Sequence, residues 1–248
     1  MEGRKAYFAS DFHLGLAGGT DPREREQRVT AWLDRVSADA ASIWLLGDVF
    51  DFWWEYRKVV PKGFTRFLGR LAALTDRGVE VHIFTGNHDM WMKGYLAEEC
   101  GVTVHYEPLL TTIGNELFYL AHGEGLGSRK PGGKLLFGLF RSRTARVLFS
   151  ALHPRWGVAI GHAWSKHSRL AKHVSLPFLG EDREDLIRHM RTVDKGGCKA
   201  KYYIYGHRHL PLTFDENGRR MIILGDWLSC RESYAVYDGK ELELITVS

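Results

Sequence analysis

One arrangement recurs five times along the chain: a short apolar run of strand character stops at Asp, Asn or His, usually beside a glycine. Residues 6–10 run into Asp11-Phe12-His13, and residues 43–47 into Asp48-Val49-Phe50-Asp51. Residues 81–85 run into Gly86-Asn87-His88-Asp89, residues 116–121 into His122-Gly123-Glu124, and residues 202–206 into His207-Arg208-His209. A sixth run covers 221–225. Several of these runs are apolar throughout, as strands buried on both faces are. Between them, residues 23–41 and 63–77 carry helical spacing, and Gly78 is placed to end the second helix. Strands alternating with helices predict parallel βαβ units and an α/β fold. The pattern changes after Tyr234 to a terminal hairpin, 234–237 and 241–247 around an Asp238-Gly239 turn. In parallel α/β sheets ligands bind beyond the carboxyl ends of the strands, so the five polar ends can converge on one site.

Each end alone is weak evidence. Asp-Phe-His can cap a helix, Gly-Asp after a strand is often a turn, Asn87 suits an Asx turn, and residues 206–209 suit a solvated loop. Their joint occurrence at successive strand ends is what carries chemistry. Carboxylate, amide and imidazole without thiolate form an oxygen/nitrogen donor set for Mn²⁺, Fe or Zn²⁺. The seven candidates are Asp11, His13, Asp48, Asn87, His122, His207 and His209. They are too many for one ion and suit two divalent ions sharing a carboxylate. Such a pair, about 3.5–4 Å apart, activates a bridging hydroxide and stabilises the leaving oxygen in phosphoryl displacement.

Taken as a set, DxH, GDxxD, GNHD, a later His-Gly and GHxH resemble the motifs of the calcineurin-like metallophosphoesterase superfamily, from Asp11 to His209. The resemblance implies a four-layer α/β sandwich, with two mixed β-sheets flanked by helices. It implies one metal on Asp11, His13 and His209, a second on Asn87, His122 and His207, and Asp48 bridging them. His88 would stand near the leaving group or the phosphoryl oxygens, oriented by Asp51, with Asp89 as an alternative partner or a cap. Asn87, His88 and His207 would also touch substrate.

A net charge of +4 conceals a second feature. Of the 34 Lys and Arg, ten fall in residues 125–180, which contain no Asp or Glu; the other 24 share the rest of the chain with all 30 acidic residues. This segment has a glycine-rich entry and two apolar, basic stretches of helical spacing, 134–152 and 156–173. It is expected to be a helical cap inserted into a single domain spanning 1–248. A solvated basic face is the plain reading of its charge. Interleaved Leu, Phe and Trp favour instead an interfacial surface for a phosphorylated amphiphile. Lys166, Arg169 and Lys172 are the candidate contacts to its phosphates.

No apolar run approaches the ~18–20 residues a membrane span needs. The first residues lack a signal-peptide pattern. Three scattered cysteines without CxxC predict a reducing, cytoplasmic compartment. Within the superfamily, the run from Gly47 to Glu55, the insertion between His122 and Gly206-His207-Arg208-His209, and Leu224-Gly225-Asp226-Trp227 resemble bacterial UDP-2,3-diacylglucosamine diphosphatases. That resemblance implies hydrolysis at the α-phosphate to UMP and 2,3-diacylglucosamine 1-phosphate in lipid A biosynthesis. It also implies Mn²⁺ as the usual metal. The basic, apolar insert predicts a peripheral position on the inner membrane and no nucleic-acid partner. Some members carry Arg where this chain has His88, and HGD where it has His122-Gly123-Glu124. The alternative is a phosphoesterase acting on nucleic acid, another nucleotide diester or a phosphoprotein.

Overall fold

The computed structural model describes residues 4–16, 20–127, 138, 142–172, 177–228 and 232–247, without the side chains of residues 162, 164 and 166–172. Four strands, β1 (Lys5–Ala9), β2 (Ala40–Leu46), β3 (Glu80–Phe84) and β4 (Thr103–His105), lie side by side and parallel. On the other side of β1, β10 (Glu232–Tyr237) and β11 (Leu242–Val247) complete this first sheet with antiparallel pairing. The second sheet has a parallel centre of β6 (Glu116–Ala121), β7 (Tyr202–Tyr205) and β9 (Arg219–Ile223). Its antiparallel edges are β5 (Leu109–Ile113) and β8 (Leu212–Glu216).

The alternation of side chains across each strand sorts the core into layers. Ala6 and Phe8 of β1, Trp44 and Leu46 of β2, and Tyr202 and Ile204 of β7 pack into one cluster between the sheets. The intervening Tyr7, Ile43 and Leu45 face α1 (Pro22–Val36), α2 (Thr65–Asp76) and α3 (Tyr95–Cys100). On the far side, Tyr203 and Tyr205 meet Leu186, Ile187 and Met190 of a further helix, Asp185–Lys195. Helices, sheet, sheet and helix give the expected four layers, and both central strand sets are buried on two faces, as their apolar runs predict.

One boundary differs from expectation. The first helix ends at Val36 and not at residue 41. Ala40 pairs with Lys5 and Ser42 with Ala6, so strand pairing captures residues that helical spacing alone would have extended into. Asp21 starts that helix by accepting from the Arg23 N–H, with Pro22 at the first turn. The inserted segment holds α4 (Arg143–Ser150) and α5 (Pro154–Lys172) on the expected helical stretches 134–152 and 156–173; residues 134–137, 139–141 and 173 lie outside the described residues. The helix Asp185–Lys195 that follows is α6. No helix among the described residues is long and apolar enough to cross a membrane.

Candidate metal centre

Two of the polar strand ends are aimed by the apolar residue beside them. Phe12, fully buried, packs edge-on against Trp227 (5.0 Å), Trp32 (6.0 Å) and Phe67 (6.2 Å). That anchors the chain between Asp11 and His13. Phe50 does the same beyond Asp48, stacked on Trp53 at 4.2 Å. The bends are tight: Asp11, His13, Asp48, His207 and His209 all have φ between 45° and 66°. Only Phe64 and Asn217 share this left-handed region among the described non-glycine residues. Such backbone is costly for an ordinary L-residue and concentrates where function demands it. The flanking glycines act by close approach. A Cβ on Gly86 would collide with Asp48, and one on Gly206 would lie 2.7 Å from Ser10 Oγ and 2.8 Å from Asp11 Oδ2.

Six of the seven predicted donors are brought together from both sheets, and the seventh, Asn87, lines the pocket beside His88. Ligand atoms of Asp11, His13 and His209 lie within 4.8 Å of one another, as do those of Asp48, His122 and His207. His13, Asp51 and His88 form a third, overlapping group. The carboxylates are prepared asymmetrically. Asp11 Oδ2 accepts from Ser10 Oγ (2.5 Å) and from the His207 N–H (3.0 Å), while Oδ1 has no hydrogen-bond partner and faces His209 Nε2 at 3.2 Å. Asp48 Oδ1 accepts from the His88 N–H at 2.8 Å, and Oδ2 faces both His122 Nε2 (3.4 Å) and His13 Nε2 (3.9 Å). Asp48 thus looks into both groups at once.

The imidazoles are oriented from behind. His122 Nδ1 donates to the Leu46 carbonyl at 2.7 Å, which leaves Nε2 as its ligand atom. His209 Nδ1 lies 2.9 Å from Asp226 Oδ2, the carboxylate–histidine pairing that fixes ring orientation behind a metal. Asp226 follows β9 and obeys the same strand-end rule, yet it was not among the sequence candidates. Burial opposes charge on Asp48, but His122, His88 and His13 outweigh it and hold the carboxyl well below its usual range. Asp89 is a clamp rather than an orienting partner: it accepts from the Gly86 N–H (2.7 Å) and the Phe50 N–H (3.2 Å). Burial and the charge of Asp48 push it up to about 7.

His88 is not held directly by the Asp51 carboxylate, which is 3.9 Å away. Its Nδ1 instead has the Asp51 carbonyl and Ser165 Oγ as neighbours, each at 3.1 Å. The donor set fits divalent cations: Asp11 Oδ1, Asn87 Oδ1 and His122 Nε2 are all buried without a hydrogen-bond partner, and all are oxygen or imidazole nitrogen. Beside them opens a pocket with Asn87, His88 and Asp51 on its polar side and Phe52, Trp54, Trp91 and Phe149 on its apolar side. Phe149, from the inserted α4, closes it by packing 4.4 Å from Trp54. Lys166, Arg169 and Lys172 belong to the α5 backbone, but their side chains lie outside the described residues.

A family model described as calcineurin-like phosphoesterase matches residues 4–211. The chain is similar to a UDP-2,3-diacylglucosamine hydrolase of Porphyromonas gingivalis, 42% identical, with 97% of this chain and 96% of that protein covered. A UDP-2,3-diacylglucosamine hydrolase of Nitrosococcus oceani is 25% identical, with 96% of each covered. Among solved structures, an archaeal phosphodiesterase is similar at a TM-score of 0.49 and 12% identity, over 98% of this chain and 99% of that one. With the donors at the strand ends and the match spanning every one of them, the chain belongs to the calcineurin-like phosphoesterases and, within them, to the family of UDP-2,3-diacylglucosamine hydrolases.

Proposed function

We propose that this protein hydrolyses the diphosphate of UDP-2,3-diacylglucosamine to UMP and 2,3-diacylglucosamine 1-phosphate, using two divalent ions of which Mn²⁺ is the working metal. The observation that carries the reading is the sharing of His88 and Asp51 between the donor cluster and an apolar pocket. A phosphate at the cluster therefore places whatever is attached to it against Phe52, Trp54, Trp91 and Phe149, a lining suited to acyl chains.

One ion is assigned to Asp11, His13 and His209, the other to Asn87, His122 and His207, with Asp48 common to both. When bound, such ions supply Lewis acidity that activates water and offsets charge on phosphoryl oxygens. The protein's own part is electrostatic and positional. Asp226 and the Leu46 carbonyl keep the His209 and His122 rings in line. His88 presents its ring to the phosphoryl or leaving oxygen, and the apolar walls exclude water from the reacting diphosphate. Lys166, Arg169 and Lys172 are assigned to the sugar-linked or diphosphate charge.

The chain is read as one domain with residues 125–180 as its cap. Val147, Leu148, Leu152 and Trp156 are exposed on that cap beside exposed Arg143, Arg146 and Arg155. A nucleic-acid surface would be basic and polar here; this one is basic and apolar, which suits a peripheral position on an anionic membrane surface where the substrate's acyl chains reside. The test is direct. Purified protein with Mn²⁺ is expected to release UMP from UDP-2,3-diacylglucosamine faster than it cleaves single-stranded nucleic acid or a phosphopeptide. Preference for either of the latter overturns the reading.

A further inference from the structure

Among the described residues of the cap, Ser165 reaches the reaction centre with its hydroxyl. Ser165, on α5, is only 2% exposed and stands between the two residues expected to form a direct pair. Its Oγ donates to Asp51 Oδ1 at 2.7 Å and lies 3.1 Å from His88 Nδ1. A serine has one proton to give, and here it is directed to a carboxylate. The oxygen can then only accept from His88, so Nδ1 must carry the proton. The Asp51 carbonyl, 3.1 Å from the same nitrogen and able only to accept, imposes the same condition. Two acceptors from opposite elements, one on the body and one on the cap, thereby fix the ring's rotation and its tautomer. Nε2, across the ring, is left for the substrate.

We infer that Ser165 is a positioning residue that relays Asp51 to His88, so that a seated cap is a condition of chemistry and not only of substrate retention. Close packing holds the hydroxyl in place. A Cβ on Gly161 would collide with the Phe52 ring and one on Gly157 with the Tyr56 hydroxyl, so two glycines let α5 lie directly on the body one turn and two turns before Ser165. The Phe149 ring wedges against Trp54 and Trp91 on the same side. The apolar pocket therefore has Ser165 and His88 in its lining together. Cap seating, pocket closure and ring orientation are one event.

This inference rests on the proposed role of His88 at the phosphate site, and its test separates the two. Full-length wild type, Ser165→Ala, His88→Ala and the double variant are assayed with Mn²⁺ on bis(4-nitrophenyl) phosphate, a small diester that does not depend on acyl binding. Ser165→Ala is expected to lower kcat about tenfold with KM within about twofold, and to add no loss in the His88→Ala background. A wild-type kcat in Ser165→Ala overturns the inference, and so does a loss of equal size in the His88→Ala background. Long-range ¹H–¹⁵N NMR of the imidazoles gives a second readout independent of turnover. His88 is expected to hold its proton on Nδ1 in the wild type, and its Nδ1 and Hδ1 signals are expected to shift in Ser165→Ala as one of the two acceptors is lost; an unchanged His88 signal overturns the inference. A wild type inactive on every phosphodiester would remove the proposed function, and the NMR comparison would still decide the role of Ser165.

Discussion

Asp226 shows how far a ligand's fitness is decided by the residue behind it. It sits 2.9 Å from His209 Nδ1 while its Oδ1 accepts from the Leu228 N–H at 3.0 Å, so the carboxylate is itself held. Removing such a partner behind a metal-ligating histidine typically reduces metal affinity or activity by about 10–100-fold. Asp226→Ala is therefore expected to raise the Mn²⁺ concentration for half-maximal activity by at least about tenfold. Unchanged Mn²⁺ dependence in a metal titration would rule the orienting role out. Asp226 was legible in principle, because it follows a predicted strand as the other donors do. Ser165 was not: it lies 114 positions from Asp51, on a helix whose own periodicity says nothing of what it touches. The expected direct Asp51–His88 contact failed for the same reason, since sequence spacing cannot reveal a third residue inserted between two neighbours.

At the level of elements, the parallel strands were the most legible parts, since each is apolar on both faces. The short outer strands were not. β4 has three residues and β5 and β8 alternate between half-buried and exposed positions, so neither run stands out from a loop. α6 was overlooked although Leu186, Ile187 and Met190 mark a buried stripe. The inner edge of β3 and β4 carries an unusual pair. His82 stacks on Trp44 at 3.7 Å and its Nδ1 lies 3.1 Å from His105 Nε2. Burial first, and then the neighbouring His105, push His82 down from 6.5 to about 4. The folded state thus binds fewer protons than the unfolded chain between those values, so stability is complete above about pH 6.5 and falls as pH drops toward about 4. His82→Phe keeps the stack on Trp44 and removes the titration. Its Tm is expected to fall less than the wild type's between pH 6.5 and 4.5, roughly the span of the shift; parallel pH profiles would refute the assignment.

For the whole molecule, the sequence charge asymmetry finds a physical partner in surface shape. The inserted helices leave Val147 61%, Leu148 68% and Trp156 62% exposed beside arginines, on the same segment that closes the apolar pocket. Fully burying a large apolar side chain is worth about 1.5–3 kcal/mol, and each 1.4 kcal/mol is about tenfold in affinity. Val147→Glu/Leu148→Glu is expected to weaken binding to phosphatidylglycerol vesicles by more than about tenfold while leaving the melting temperature near wild type. Sedimentation with vesicles at constant ionic strength measures it, and undiminished co-sedimentation would place the membrane contact elsewhere.

The first strand of the chain is paired on one side with β2 and on the other with β10, and the Trp227 N–H donates to the Asp11 carbonyl. This joins β1 to segments more than 200 residues later and sets a schedule. During synthesis Asp11, His13, Asp48 and Asn87 emerge from the ribosome before His122, His207 and His209, and Asp226 and the strand that seals β1 follow them. No nascent chain that ends before His209 can present the full candidate donor set, and the inserted helices are already made before His207 arrives. The candidate donor set is thus completed only after the inserted helices that line the neighbouring pocket have been made.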